Sequence, residues 1–410
     1  MKHWVEQYDL SLSWDDIPKL AEWVIEQGIA VQQIPAPTFA ERPRAEYVAD
    51  QFRALGLVDV SIDDLFNVYG RIPGKNPAAL AVMISAHTDT IFAADTDLTV
   101  RRDANTISAP GIGDNSIGVS GMLGFARYVQ QSSLTPLCDI WCVASTREEG
   151  LGDLGGMRAA FEMLHARTGL VLNLEGLAFG HVYHAGIVVR RLRVTAAGSG
   201  GHSWLHFGRP SAVHAIAELS ARITTLPVSA NPRTTFNIGM ISGGEAINAI
   251  ATHAELWLDM RSEDRHALER LERAVRAHID ALRASPYYHG EIMFTVEVVG
   301  DRPGGSLDPK HPLVEAALHA LDRVDVRGAL EKGSTDANIP LSHDCPAVTI
   351  GITRGANAHR LDEYIEIEPV AQGMRQLITL TFAAAHYLAQ SSAANSAASH
   401  PSQASANSVQ

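Results

Sequence analysis

The chain has 410 residues, 46% of them hydrophobic and 19% charged, and carries a net charge of −13. Its length suits two domains and its composition a soluble globular protein, while the acidic balance argues against a nucleic-acid or anionic-membrane partner. Three cysteines, Cys138, Cys142 and Cys345, without a CxxC pair, argue against a disulfide framework and a thiolate metal site. No apolar run is long enough for a bilayer and the amino terminus has no signal-peptide core, so a cytoplasmic location is expected.

In chain order, helical spacing of apolar residues covers Ile17 to Gln27, with Gly28 as its stop, and Thr38 to Leu55, the two separated by Pro35 and Pro37. Edge strands are expected at Val58 to Ile62 and Asn67 to Ile72. The run from Leu80 to His87 is apolar on both faces, as in a buried parallel strand, and ends in His87 and Asp89. Residues two apart on an extended chain share a side, so His87 can offer a ring nitrogen to a metal while Asp89 orients the group beside it. A glycine-flanked loop, Gly111 to Gly118, then opens a helix reaching Val129. A second buried strand, Ile140 to Ala144, leads into Glu148 and Glu149. After a helix at Gly155 to His165, a third, Gly169 to Leu174, ends in Glu175. Strand and helix alternate, which predicts an α/β domain with a mostly parallel central sheet.

The rhythm changes near residue 186. Strands at Val188 to Ala196, Thr235 to Ile241, His253 to Met260 and Glu291 to Val299, with helices at Ser211 to Thr224 and Asp264 to Ala284, follow the order β-α-β-β-α-β. That is a ferredoxin-like α+β unit, inserted because the α/β pattern resumes after it. A helix from His311 to Leu321, a buried strand from Ala347 to Gly351 and a helix from Val370 to Ala389 complete the first domain. The expected boundaries are 1–185, 186–300 and 301–390. Residues 391–410, poor in apolar side chains, form an expected disordered tail.

Histidines and carboxylates recur at equivalent places: His87 and Asp89, Glu148 and Glu149, and Glu175 after three strands, Asp114 at a helix start, and His359 after a fourth strand. Each has an ordinary explanation. Asp114 would serve as a helix N-cap, Glu148 and Glu149 as a solvated pair, Glu175 as a strand-end charge. Parallel neighbouring strands would instead bring them all to one sheet edge. Two histidines and three carboxylates suit a borderline divalent ion such as zinc. The three carboxylates offset three of the four charges of two Zn²⁺ ions and leave one for hydroxide, with Asp114 as the bridge. Side chains of neighbouring residues diverge, so one of Glu148 and Glu149 can ligate while the other acts as base.

The ordered series Ser85 to Thr90, Gly113 to Ser116, Ser145 to Gly150, Asn173 to Gly176, Gly200 to His202, Ser334 to Asn338 and Gly355 to His359 resembles the M20 family of metallopeptidases. That group contains peptidase T, glutamate carboxypeptidase and the aminoacylases, and the resemblance runs from about residue 15 to 390. It implies His87 and Glu175 on one zinc, Glu149 and His359 on the other, and Asp114 between them, with Co²⁺ or Mn²⁺ as substitutes. It implies Glu148 as general base, Asp89 as the partner that orients His87, and a cis peptide between Asp114 and Asn115. The inserted unit becomes a lid and dimerisation domain of a homodimer, from which His202 reaches the partner's active site and stabilises the oxyanion. Asn248 and Arg261 would hold a free substrate carboxylate, and Gly355 would join them in binding substrate. Arg261 has the alternative of pairing with Glu263 or Asp264, and Trp204 and His206 are expected to help pack the lid. The implied reaction is hydrolysis of a peptide or N-acyl amide bond in a small substrate with a free carboxylate, in the manner of a di- or tripeptidase or a carboxypeptidase. An N-acyl-amino-acid deacylase is the alternative among enzymes, and a non-catalytic metal- or ligand-binding homologue the alternative outside them. Glu175 resembles the carboxypeptidase and acylase branch, whereas Ser334 to Asn338 and the stretch from Glu175 to Arg191 resemble tripeptidases, so side-chain preference stays open.

Overall fold

A computed structural model describes residues 1–132, 134–288 and 290–399 of the chain. They form two compact units. The first comprises Met1–Ala185, Ser306–Glu331 and the chain from Thr335 onward; the second comprises Gly186–Gly305 and Lys332–Ser334. Residues 301–305 and 332–334 thus fall with the inserted unit rather than with the first domain. There Ile187 donates to the Gly333 carbonyl at 2.9 Å and Arg302 to Ser334 Oγ at 3.1 Å.

In the first unit, Ile140–Ser145, Ala81–His87, Thr168–Leu174 and Ala347–Ile350 lie side by side in that order, all parallel. Nearly every residue in them is buried, as expected of strands covered on both faces. Alternation divides the side chains: Val82, Ile84 and Ala86 enter the larger core, while Ala81 and Met83 enter the core beside the helix Gly155–Leu164. The register pairs His87 with Ser145, Ser85 with Asn173, and Ile350 with Leu174. The four carboxyl ends are therefore level, and the loops leaving them emerge at one edge, where ligands of such sheets bind.

Several boundaries differ from the expected ones. The helix Ile17–Gln32 runs through Gly28, because a side chain there would crowd Ile117 and Ser120 of the helix packed against it. The next helix starts at Arg42, with Pro43 in its first turn and Phe39 in the left-handed region before it (φ 77°). An unanticipated helix, Lys2–Ser11, buries Val5 and Asp9; the Asp9 carboxylate takes Arg375 and Arg323 at 2.7–2.9 Å. The last helix, Pro369–Ser399, continues past Ser391, where the tail was expected to begin. Alanine recurs from 393 to 398 and has the strongest intrinsic helix preference. Residues 400–410 of that expected tail lie outside the described residues.

The second unit is a four-stranded antiparallel sheet in the order Thr234–Gly243, His253–Ser262, Val188–Gly198, Ile292–Arg302. The helices Ala212–Ile223 and Arg265–Ala284 share its apolar core. Asp264 caps the longer helix by accepting the Ala267 N–H at 2.7 Å.

Candidate metal centre and active site

His87 ends its strand 2% exposed. Its Nε2 lies 3.1 Å from Asp114 Oδ1 and 3.5 Å from Glu175 Oε2. His359 Nε2 lies 3.0 Å from Asp114 Oδ2 and 2.9 Å from Glu149 Oε1. The two oxygens of Asp114 thus face two different histidines, and each histidine shares a second carboxylate of its own. Ligand atoms of His87, Asp114 and Glu149 all lie within 4.8 Å of one another.

The electrostatics suit a cation site. Burial penalises the Asp114 charge, yet hydrogen bonds from His359 and His87 hold its carboxyl well below the usual range. Burial pushes Glu149 up to about 7 and raises Glu175, with the Asp114 and Glu148 charges adding to both. Burial opposes a charge on His87, but Glu175, Asp114 and Asp89 together lift it well above an ordinary histidine. Bonds to Asp114 and Glu149 lift His359 to about 10. A cation held between these nitrogens and carboxylates would displace protons from the histidines, so its binding would depend on pH. A set of imidazole and carboxylate donors with no thiolate fits zinc, cobalt or manganese.

Each donor is held from behind. Asn115 donates to the Leu174 carbonyl at 2.7 Å and accepts the Gly176 N–H at 2.8 Å, which ties the Asp114 loop to the strand end carrying Glu175. The Asp114–Asn115 peptide is cis, as the motif resemblance implied. Arg147 and His359 both sit in the left-handed region (φ 54° and 68°), an uncommon backbone that turns the adjoining chain sharply. His359 lies in the turn between Gly355–Ala356 and Tyr364–Glu366, strands continued by Thr106–Ser108. Gly355 has a packing role: a side chain there would collide with the Tyr364 carbonyl and Leu177.

Asp89 divides its work differently from the expectation. The nearer partner of His87 Nδ1 is the Asp89 carbonyl, at 3.1 Å, and the carboxylate stands off at 3.6 Å. The carboxylate instead accepts the Glu148 N–H (2.9 Å), the Glu149 N–H (3.0 Å) and the Thr38 hydroxyl (2.8 Å). It sets the turn from which Glu148 and Glu149 diverge. Glu148 is buried, and its charge adds to the upward shifts of Glu149 and Glu175.

Residues to which the sequence assigned no role complete the surroundings. Arg44 is fully buried and donates to the Thr88 carbonyl at 2.6 Å. Asp336 accepts the Ser145 hydroxyl at 2.5 Å, and burial, followed by the Glu148 charge, pushes its carboxyl up to about 8. Glu363, 0% exposed, accepts three backbone N–H groups of the Asp114 loop. Asp336 lies inside the Ser334 to Asn338 motif; Glu363 is indistinguishable in sequence from the charges around it in Arg360 to Glu363.

In the second unit, His202 and Asn248 are brought together. Gly201–His202 pairs with Ala249–Ile250, and the Asn248 carbonyl accepts the Ser203 N–H at 3.0 Å. His202 is exposed, and its Nδ1 accepts the Trp204 N–H at 3.1 Å, so a neutral ring carries its proton on Nε2. Arg261 stands apart on the sheet. It pairs with Asp259 at 2.7 Å, not with Glu263 or Asp264, and Asp259 also holds Arg191 at 2.9 Å. Trp204 is 83% exposed, and Leu205 and Phe207 beside it are exposed too; His206 accepts the His202 N–H at 2.9 Å.

A model of the peptidase dimerisation domain of the M20 type matches residues 189–285, and a model of peptidase family M28 matches residues 67–185. The first lies within the inserted unit and the second covers most of the ligand set. The inserted unit therefore carries a dimerisation domain of the M20 peptidase type. The fold is similar to that of aminopeptidase PepT from Bacillus cereus, 19% identical over 89% of this chain and 99% of that one, with a TM-score of 0.71. A tripeptidase from Staphylococcus aureus is 20% identical over 89% and 99% of the two chains (TM-score 0.73). The di-peptidase Dug1p from Saccharomyces cerevisiae is 14% identical over 94% and 99% (TM-score 0.73). Both matched models are of peptidases, which supports a hydrolase, and His87, Asp114 and Glu149 form a candidate site for a divalent metal. Among the described residues, no helix is long and apolar enough to cross a membrane.

Proposed function

We propose that the chain is a two-metal amidohydrolase that cleaves a peptide or N-acyl amide bond in a small substrate bearing a free carboxylate. The observation that carries this reading is the split of the Asp114 carboxylate between His87 and His359, each completed by its own glutamate. His87, Asp114 and Glu175 would hold one ion, and Glu149, His359 and Asp114 the other. Such a pair, when bound, supplies polarisation of the scissile carbonyl and acidification of the attacking water. Glu148 takes the proton of that water and passes it to the leaving nitrogen, so carbon–nitrogen cleavage leaves an acid and an amine. The resemblance assigns His202 to the oxyanion in a partner copy's site, and its Nε2–H is suited to donate there; it assigns Asn248 and Arg261 to the substrate carboxylate, Arg261 by giving up part of its bond to Asp259.

Assembly through the second unit fits the same reading. Thr234–Gly243 is an edge strand with Met240 and Ile241 exposed, beside a groove of about 440 Å³ lined by Val213, Ile216 and Ile241. An open strand edge with apolar side chains invites a second copy.

The test is hydrolysis of dipeptide, tripeptide and N-acyl-amino-acid panels by zinc-loaded protein, with metal content measured alongside. Glu148→Ala should keep both ions while losing turnover by about 10²- to 10⁴-fold. A kcat near that of the unaltered protein would remove Glu148 as the base, and no turnover of any panel member would overturn the proposal.

A further inference from the structure

We propose that Glu363 is the positioning residue that makes Asp114 a bridge, by locking the loop of Asp114 to the loop of His359. The inference rests on the two-ion reading and goes beyond it by naming what keeps the second ion in register with the first.

The Glu363 carboxylate is wholly buried and both its oxygens are used. Oε1 accepts the N–H of Gly113 at 2.6 Å and of Asp114 at 2.8 Å; Oε2 accepts the N–H of Gly111 at 3.1 Å. Its backbone works in the same direction, the carbonyl accepting the Ala109 N–H at 3.0 Å and the N–H reaching the Arg360 carbonyl at 3.2 Å. One residue therefore gathers three donors from the segment that carries the shared ligand, four positions after the histidine of the second ion. Charge-assisted bonds of this kind are the stronger sort, and three on one carboxylate fix both the height and the tilt of the loop.

The two ion positions depend on this lock unequally. His87 stands on a buried central strand, and Asn115 ties Asp114 to the Glu175 strand end without help from Glu363. His359 is half exposed on a turn. On that side, besides the direct His359–Asp114 contact, Glu363 ties the His359 loop to the backbone of the Asp114 loop. Loss of the lock should loosen the Glu149–His359 position and leave the His87–Glu175 position nearly intact.

The variants are Glu363→Gln, which turns an amide NH₂ toward at least one of the three N–H groups, and Glu363→Ala, which removes all three bonds. Metal-free protein is titrated with Zn²⁺ against a competing chromophoric chelator, and circular dichroism reports folding. The unaltered protein should take two ions. Glu363→Gln should bind the first with near-unaltered affinity and the second about 10- to 100-fold more weakly. Two unchanged steps, or two steps weakened equally, would overturn the inference alone. Uptake of fewer than two ions by the unaltered protein would overturn the two-ion reading and this inference with it. If Glu363→Ala does not fold, the folded Glu363→Gln protein decides the matter.

Discussion

Replacing Asp89 by asparagine separates two ways in which this buried carboxylate could serve the site. Three donors converge on it, and the amide keeps one oxygen. With that oxygen toward the Glu148 N–H, the NH₂ group faces the Glu149 N–H and Thr38; the hydroxyl can rotate to accept, but the N–H cannot. An orphaned buried donor costs about 1–3 kcal/mol, and the surviving bond loses its charge assistance, about 1 kcal/mol more. Metal-free Asp89→Asn should therefore be roughly 2–4 kcal/mol less stable in urea unfolding. The turn bearing Glu148 should also shift, and displacement of a catalytic group by about 1 Å lowers kcat on the order of 10²-fold. Affinity for the ion on His87 should change less, because the Asp89 carbonyl rather than its carboxylate is the close partner of Nδ1. Stability within about 0.5 kcal/mol of the unaltered protein together with an unchanged kcat would refute this reasoning. Unchanged stability with marked metal loss would show instead that the carboxylate acts through His87.

Asp336 should leave a pH signature in the metal-free protein. Its folded pKa of about 8 lies above the unfolded value of about 4, so the native chain holds the extra proton and stability falls as pH rises through that window. Asp336→Asn should gain in Tm relative to the unaltered protein between pH 5 and 8; parallel curves would contradict the assignment. Asp9→Asn breaks a buried carboxylate's bonds to two half-buried arginines and should cost about 2–3 kcal/mol in urea unfolding, below the 3–5 expected were the arginines fully buried. Ile241→Asp, on the edge strand of the second unit, should shift the protein toward monomer in sedimentation; an unchanged association state would move the interface elsewhere.

The strands of the first domain could be read from sequence because burial on both faces leaves continuous apolar runs, and their polar ends then announced themselves as His87, Glu148 with Glu149, and Glu175. Helix ends were harder. Gly28 has the local preference of a stop, but its neighbours Ile117 and Ser120 lie about 90 residues away and need a residue without a side chain. Lys2–Ser11 escaped notice because its hold on the fold comes from Asp9 meeting Arg323 and Arg375, contacts more than 300 residues apart.

The same distinction runs through the site. A metal ligand is recognisable by type and by its place after a strand, since few other uses bring histidine and carboxylates there together. The groups that hold the ligands have no such mark. Glu363 sits in the charged run Arg360 to Glu363, where Arg360 and Asp362 form an ordinary exposed pair at 2.8 Å while their neighbour is buried with three backbone bonds. Nothing in the local sequence separates them; the difference is made by Gly111, Gly113 and Asp114, some 250 residues earlier. Asp89 illustrates the converse. Its side was predictable from strand geometry, but whether carboxylate or carbonyl meets His87 depends on where Glu148 and Glu149 turn. The precision of the centre thus resides in backbone N–H groups, which every residue but proline possesses and which composition therefore cannot reveal.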